Sequence, residues 1–357
     1  MHHTSASVCR LTISQSAALP SKSHCHPHFT ARRPETLTRA RATGLVLGYT
    51  ADRLLGDPAR YHPVAGFGQV AHRLEQRIWA DNRLVGAAYT AVLVGGTGAA
   101  GLVAERLTRH HRLSRTLLTA VTTWAVLGGR SLGREATYVR AWLDADNLPG
   151  ARQQLTHLVG RDTSELDEHE ISRATVESVA ENTSDAVVAP LLAGAVGGIG
   201  GLVAYRAANT LDAMVGHMSP RFRQFGWASA RLDDALNLAP ARLSALLAAG
   251  LATLVGGRTT DALRVWTRDA RHHPSPNAGP VEASFAGALG VQLGGTNVYG
   301  SRVERRPTLG DGAVAMPVDI GRSVRLADAV GLGALAVGVA VSAALARRPT
   351  RRQRRRR

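Results

Sequence analysis

Three stretches without a charged side chain constrain this chain most. Residues 84–104 form a run of 21, residues 186–205 a run of 20 and residues 329–346 a run of 18. A helix crosses a hydrocarbon core of about 30 Å with roughly 20 apolar residues, so all three runs are long enough. Their abundant Gly and Ala lower hydropathy but let helices approach closely in lipid. Two shorter runs, 116–129 and 243–257, and a marginal one at 42–51 accompany them. The expected fold class is all-α: a polytopic integral membrane helical protein with four or five spans and polar helical loops. A soluble bundle with Ala-rich core helices is the weaker reading, because it must bury all three runs.

Charge divides the chain into three parts. Lys+Arg number 43 against 27 Asp+Glu, a formal net charge of +16, and the excess lies at the ends. Residues 347–357 hold eight Arg, while residues 1–41 hold six basic residues and one acid, Glu35. The stretch between is near neutral, so a basic nucleic-acid-binding face is not expected. Aromatics at 4 % offer no base-stacking platform. Cys9, Cys25 and the only lysine, Lys22, all fall in the first 41 residues. A cysteine-free body excludes an internal disulfide framework, a cysteine-based zinc site and thiol catalysis there. We read 1–41 as a disordered leader or non-native start, for it lacks the apolar region of a secretory signal. Its His24-Cys25-His26-Pro27-His28 cluster could bind a metal, but a disordered leader is simpler. Residues 42–346 are expected to form a single membrane-embedded catalytic domain. Residues 347–357 are expected to be an orientation signal held by anionic lipid.

The positive-inside rule puts the Arg tail and the four-arginine loop 106–115 in the cytoplasm. Strict alternation through every run would then separate 130–185 from 206–234, two polar stretches that look like parts of one site. The separation disappears if 186–205 does not cross once. Pro190 and the GGIGG sequence at 197–201 mark a turn in a re-entrant hairpin, allowed where protein or water covers the backbone. Elsewhere, Leu132, Ala136, Val139 and Leu143 have helical spacing. Ser164 and Asp167 resemble a capping box that starts a second helix. A helix is expected over 259–270, and no strand alternation is convincing.

Five polar clusters could carry chemistry. Glu177, Glu181 and Asp185 follow at i, i+4 and i+8, so on a helix they form one acidic stripe whose repulsion a cation would relieve. Arg161 lies in GRDTS at 160–164. In YRAANTLDAMVGH at 205–217, Arg206, Asn209 and Asp212 succeed one another every three residues. FGWASARLDDALN at 225–237 brings Arg231 near Asp233 and Asp234. In HHPSPNAGPVEAS, from 272, the prolines pin an extended loop before a helix expected near Val281. There His273, Ser275 and Asn277, with the helix start, could bind phosphate. Gly294-Gly295 and the GDG turn around Asp311 offer close backbone approach. LLGDPARYHPV at 54–64 places Asp57 and His62 beside tight turns. No Walker motif, no zinc spacing among His62, His72, His217, His272 and His273, and no GxSxG elbow is present.

The order of these motifs is itself informative. LLGDPARYHPV, GRDTSEL, ESVAENTSDAVVAPL, YRAANTLDAMVGH, FGWASARLDD, HPSPNAG and GALGVQLGG occur collinearly over roughly residues 44–328. Together they resemble the cobalamin-biosynthesis family CobD/CbiB, the adenosylcobinamide-phosphate synthases. The resemblance implies a multi-pass enzyme of the inner (plasma) membrane that joins adenosylcobyric acid to aminopropanol or its O-phosphate. It implies ATP and Mg²⁺, a corrinoid substrate, membrane lipid as surroundings and other cobalamin-pathway enzymes as partners. An active site facing the cytoplasm follows from the ATP.

The chemistry sets its own demands. A carboxylate does not accept an amine in neutral water, so activation as an acyl phosphate is expected, with carboxylates for Mg²⁺, cations for phosphate and a base for the amine. The pool of bases and metal ligands is Glu177, Glu181, Asp185, Asp212, Asp233 and Asp234, with Glu181, Asp185 and Asp234 nominated for the metal. Arg161, Arg206 and Arg231 are candidate clamps for phosphate or propionate. Asn209, His273, Ser275, Asn277 and Asp311 complete the substrate-binding candidates. The alternatives are a corrinoid transporter or membrane scaffold without catalysis, and a lipid-modifying transferase.

Overall fold

Local signals start most of the helices. In the computed structural model, which describes residues 33–57, 62–299 and 302–347, α1 (Arg33–Leu55) is followed by α2 (Pro63–Ile78), whose cap is the His62 side chain accepting from the Val64 amide. Asn82 caps α3 (Arg83–Leu107) in the same way. Then come α4 (Arg112–Val126), α5 (Gly129–Asp144) and α6 (Leu148–Leu155). The helix α7 (Glu168–Thr183) opens with a reciprocal box between Asp167 and Glu170, three residues beyond the expected Ser164 start. Next are α8 (Ala189–Leu211), α9 (Trp227–Gly250), α10 (Thr259–Asp269) and α11 (Ala278–Leu289). Three short strands, β1 (Val291–Tyr299), β2 (Arg302–Leu309) and β3 (Ala313–Val314), precede α12 (Pro317–Arg347). The helix α1 begins inside the stretch expected as leader, and Arg41 is part of the helical body. The His/Cys cluster at 24–28 and the tail beyond Arg347 lie outside the described residues.

The fold class is all-helical as expected, and the strands are a minor addition that no alternation announced. They form a sheet in the order β2-β1-β3, with β1 antiparallel to β2 and parallel to β3. A bulge interrupts the β1–β2 ladder between Leu293 and Gly295. Gly294 adopts φ +85°, which a side chain would strain, and its amide leaves the ladder.

Among the described residues three segments are long and apolar enough to cross a membrane: Arg83–Leu107, Glu168–Gly216 and Pro317–Leu345. The protein is a membrane protein of helices. Its α3 span is only 17 % buried within the protein. Leu84, Val92, Leu102 and Val103 on α3, with Leu113, Leu117 and Val121 on α4, are exposed, which suits lipid rather than water.

The middle segment does not run straight. Gly198 sits at φ 63°, ψ −145°, a conformation outside the helix, and the chain folds back there. Gly194 packs on Leu202 and Gly201 packs on the Ala193 carbonyl. Tyr205 Oη donates to the Asp185 carbonyl at 3.1 Å, across 20 residues of sequence. The reversal falls within GGIGG, where the glycines expected a turn. The hairpin window is 67 % buried, against 17 % for α3, so protein covers the broken backbone.

The hairpin tip is held by charge. Arg41 Nη1 donates to the carbonyls of Ala195 and Val196 at 3.2 and 3.1 Å, at the negative end of the first arm. Arg41 and Arg115 both pair with Glu105, the former at 3.2 Å. A Cβ on Gly198 would come within 2.6 Å of the Glu105 carboxylate and the Arg41 guanidinium. Around this device small residues set the packing: Gly98 and Gly101 face Gly200, Val203 and Ala204, and Gly44 and Gly48 face Thr119 and Thr123.

Candidate functional site

The open end of the hairpin gathers the acids. The helix α7 brings Glu177 and Glu181 on one face. A π-helical turn over Ser184–Val188 then carries Asp185, and another over Asp212–Gly216 carries Asp212. Such wide turns insert a residue into the helical register and re-aim side chains, a distortion found most often at functional sites. Each arm of the hairpin is roughly 13 residues, about 20 Å of helix, and its return sets Asp212 beside Asp185. Asp233 and Asp234 come from the second turn of α9. Ser275, Asn277 and the first turn of α11 close the far wall.

The result is a cavity of about 100 Å³ bordered by Glu181, Asp185, Asp212, Asp233 and Asp234. Asn237 donates to Asp233 at 2.9 Å and accepts from Tyr205 at 2.8 Å, and Asn209 donates to Asp233 at 3.4 Å. Asn277 donates to the Asp234 carbonyl at 2.8 Å and accepts from Arg242 at 3.0 Å. Ser275 Oγ accepts from the amides of Asn277 and Ala278, capping α11. Burial, ahead of the neighbouring Asp234, pushes the Asp233 carboxyl above the ordinary carboxylate range, against the pull of its two asparagine donors. Among the described residues no ion pair reaches Glu181, Asp185, Asp212 or Asp233. Arg231 lies 3.8 Å from Asp234 with its side chain 69 % exposed, at the rim. Arg206 borders the hairpin's polar end, donates to Asn209 at 3.4 Å and has a buried Nε without an acceptor.

A second polar cavity of about 130 Å³ adjoins the first across Glu181. Here Arg161 donates to Glu177 at 2.8 Å, and the other Glu177 oxygen accepts the Gly294 amide released by the β-bulge, also at 2.8 Å. Glu177 and Arg161 are thus already engaged with each other. Behind them lies Glu282, fully buried, with His273 Nε2 at 3.8 Å and Arg306 at 4.0 Å. Burial, reinforced by Glu177 and Glu181, pushes the Glu282 carboxyl well above its usual range. His273 is turned inward, its Nδ1 accepting from the Ser275 amide at 3.1 Å.

Of the sequence candidates, Glu181, Asp185, Asp212, Asp233, Asp234, Ser275 and Asn277 border one cavity, with Asn209 bonded into it, Arg206 beside it and Arg231 at its rim. Glu177 and Arg161 occupy the adjoining one, and His273 lies behind it. Asp311 stands apart. It is exposed and paired with Arg264 at 2.6 Å and with Arg268, both on α10, while Gly310 donates to Asp269. The GDG turn is therefore tied to α10, and the Gly294-Gly295 turn to Glu177, not to an open phosphate site. Sequence reasoning missed Tyr205, Asn237, Arg242, Glu282 and Arg306. Glu282 had a signal, as the lone acid in the apolar stretch 278–289. Asn237 had a weaker one, four residues after Asp233.

The donors around the first cavity are carboxylate oxygens. Among the described residues no group of three or more His, Cys, Asp or Glu is placed to hold a metal by itself. That arrangement does not suit a protein-caged cation. One or two such carboxylates would be enough for a hard cation whose remaining ligands are water and ligand oxygens.

This geometry defines a class: a helical membrane protein with an acid-lined site at the open end of a folded-back helix pair. The comparisons specify it further. The family model described as CobD/Cbib protein matches residues 45–327. "Cobalamin biosynthesis protein CobD" of Mycobacterium bovis is 46 % identical over 304 residues, covering 85 % of this chain and 96 % of that one. The protein of the same name from Geobacter metallireducens is 46 % identical over 265 residues, 73 % of this chain and 83 % of its own. That from Chromobacterium violaceum is 43 % identical over 292 residues, with 79 % and 90 % covered. No solved structure matches. The chain belongs to the CobD/CbiB family, and its role is in cobalamin biosynthesis.

Proposed function

We propose that the chain is an adenosylcobinamide-phosphate synthase, an amide-forming ligase acting on a corrinoid. Adenosylcobyric acid supplies a propionate, and aminopropanol or its O-phosphate supplies the amine. A propionate oxygen attacks the γ-phosphorus of ATP, ADP leaves, and an acyl phosphate forms. The amine nitrogen then attacks the acyl carbon, inorganic phosphate leaves, and the nitrogen gives its proton to a carboxylate. The convergence of Glu181, Asp185, Asp212, Asp233 and Asp234 on one cavity carries this reading.

Separate duties fit the separate environments. One or two of the nominated Asp185, Asp234 and Glu181 would hold Mg²⁺ together with water and phosphate oxygens, and the ion would offset negative charge on the phosphates. Asp212 and Asp233 remain for the ammonium of the amine and for its departing proton. Asn209 and Asn237 orient Asp233, and Arg206 and Arg231 supply cations for propionate or phosphate. Arg161 balances Glu177, whose other oxygen ties α7 to the β1 bulge, a positioning role.

ATP is cytoplasmic, so the acid site faces the cytoplasm of the inner membrane. The loop 106–115 then lies on the other face, because it joins α3 to α4 at the hairpin tip. The positive-inside rule predicts the reverse, both for that loop and for the end of α12, where Ser342 reaches the Ala195 carbonyl near the tip and the Arg-rich tail follows, and both expectations cannot hold. We give precedence to the nucleotide, since the site has no purpose on a face without one.

Purified protein in lipid nanodiscs, given adenosylcobyric acid, MgATP and either amine, tests the reaction. One amide, one ADP and one phosphate should appear per turnover; omission of the corrinoid should stop all three, and omission of the amine should stop the amide and hold ADP to at most one per site. Corrinoid binding without consumption of the amine would sink the synthase and favour a transporter or scaffold.

A further inference from the structure

An open groove of about 470 Å³ lies on the other side of the 273–277 loop from the acid cavity. Its walls carry Arg242, Trp266 and Arg271, and its floor is stiffened by Pro274, Pro276 and Pro280. This is the size of a site for a ligand of several hundred daltons. We propose that the groove is the nucleotide subsite, with the base against Trp266 and the polyphosphate along Arg242 and Arg271 toward the acid cavity. The inference rests on the ATP-dependent reading above and says where on this chain the nucleotide sits.

Three observations support it. The first is charge. On α10, Arg264 and Arg268 are matched by Asp261, Asp269 and Asp311. Arg242 and Arg271, which face the groove, have no carboxylate partner among the described residues. Arg242 is bonded only to neutral acceptors, the Leu238 carbonyl and Asn277 Oδ1. The second is composition: the only lysine is Lys22, so arginine must supply the phosphate contacts in the body. In the adjoining polar cavity Arg161 and Arg306 face Glu177 and Glu181, with Glu282 behind, and that site has no excess of positive charge. The third is continuity. Asn277 takes the Arg242 guanidinium on one oxygen and passes its own N–H to the Asp234 carbonyl, so one side chain is the wall between groove and acids. A polyphosphate in the groove would extend from guanidinium groups to carboxylates that share a cation with it. An aromatic face and two guanidiniums suit a nucleotide, because the base stacks and the phosphates take the forked donors.

The test reads binding without turnover. Full-length protein in nanodiscs is titrated with ATP in the absence of Mg²⁺, with tripolyphosphate, and with vesicles containing an anionic phospholipid. Trp266 fluorescence should be quenched by ATP and not by tripolyphosphate, and Trp266→Phe should remove that signal. Arg271→Ala changes an exposed side chain and should raise the Kd for ATP on the order of tenfold. Trp266→Leu, which keeps an apolar side chain against the core but removes the aromatic face, should raise it by a similar factor. Unchanged ATP affinity in both variants overturns the proposal. So does tripolyphosphate binding as tightly as ATP, or a response of Arg271→Ala confined to anionic vesicles, which would make the groove a lipid headgroup site. An unchanged KM for ATP in Arg271→Ala during normal turnover removes the subsite and leaves the reaction standing. ATP bound here by a protein that forms no amide removes the reaction and leaves the subsite.

Discussion

The two ends of the hairpin bury charge in opposite ways. At the tip, Glu105 is matched by Arg41 and Arg115, and Arg41 also caps the carbonyls of the first arm. At the open end, Glu181, Asp185, Asp212 and Asp233 face one cavity with no ion pair to any of them among the described residues, and Asp233 is bonded to two asparagines. Breaking a buried pair is strongly destabilising because a charge is left uncompensated. Surplus like charge destabilises the empty site and is relieved by what binds there. The tip is built for the fold and the open end for a ligand, so loss of a tip charge should unfold the protein while loss of a pocket charge should not.

The largest effect expected is all-or-none. With Cys9 and Cys25 replaced by Ser, His110→Cys and Glu165→Cys should react with an impermeant thiol reagent from opposite faces of the membrane, Glu165→Cys from the cytoplasmic one. Labelling from the same face would show that the two ends do not lie across the bilayer from each other. Next, Glu105→Ala strands two guanidiniums beside Gly198 and should cost about 3–5 kcal/mol of stability, seen as a lowered unfolding midpoint in detergent. Midpoints within error of the parent would make the tip cluster dispensable. Asp185→Asn and Asp234→Asn should lower turnover about 10²–10³-fold, within the range for loss of an acid, base or charge-stabilising group. Their unfolding midpoints should hold or rise, since like-charge repulsion falls, and a drop like that of Glu105→Ala would erase the contrast.

Two smaller effects depend on pH. The Glu282 carboxyl is raised in the folded protein, so its contribution to stability is present below the ordinary value of 4.5 and is lost as pH climbs through the raised range. Glu282→Gln should therefore flatten the fall of the unfolding midpoint as pH rises above the ordinary value of 4.5, and parallel curves would show that Glu282 does not titrate in the folded protein. Asp311 is held below its usual range by Arg268 and then Arg264, so its contribution is present above 3.8 and lost as pH falls. Asp311→Asn should differ slightly from the parent at neutral pH, measured at low salt, and converge with it in acid.

Much of this was legible in sequence for identifiable reasons. An uncharged run reports burial or lipid directly, so α3 and α12 could be placed from length alone. The reversal at Gly198 was legible because four glycines around Ile199 remove the side chains that would hold a helix straight. The acids could be grouped because the fold-back makes the 185 and 212 ends neighbours. The tip cluster was not legible: Arg41 and Glu105 are 64 residues apart, and neither sits in a local pattern. The surroundings of Glu177 were not legible for a similar reason. Its stripe spacing suggested reactivity, but its partners, Arg161 and the Gly294 amide, come from a loop and a bulge whose positions are set by tertiary packing. The strands escaped notice because β1 carries two glycines and no sustained alternation. Asp311 shows the limit of motif reasoning, since a Gly-Asp-Gly turn serves a phosphate or a pair of arginines equally well, and only the position of α10 decides.

The fold-back also acts as a ruler. Asp185 and Asp212 are aligned only while both arms keep their residue count, because one added residue swings everything beyond it by about 100° and shifts it by about 1.5 Å. Added length in one arm cannot be cancelled in the other, since the two carboxylates would then turn away on different axes. Insertions and deletions in this protein should accordingly be confined to the connections outside the interval from Glu181 to Asp212, however freely its Val, Leu and Ala residues interchange.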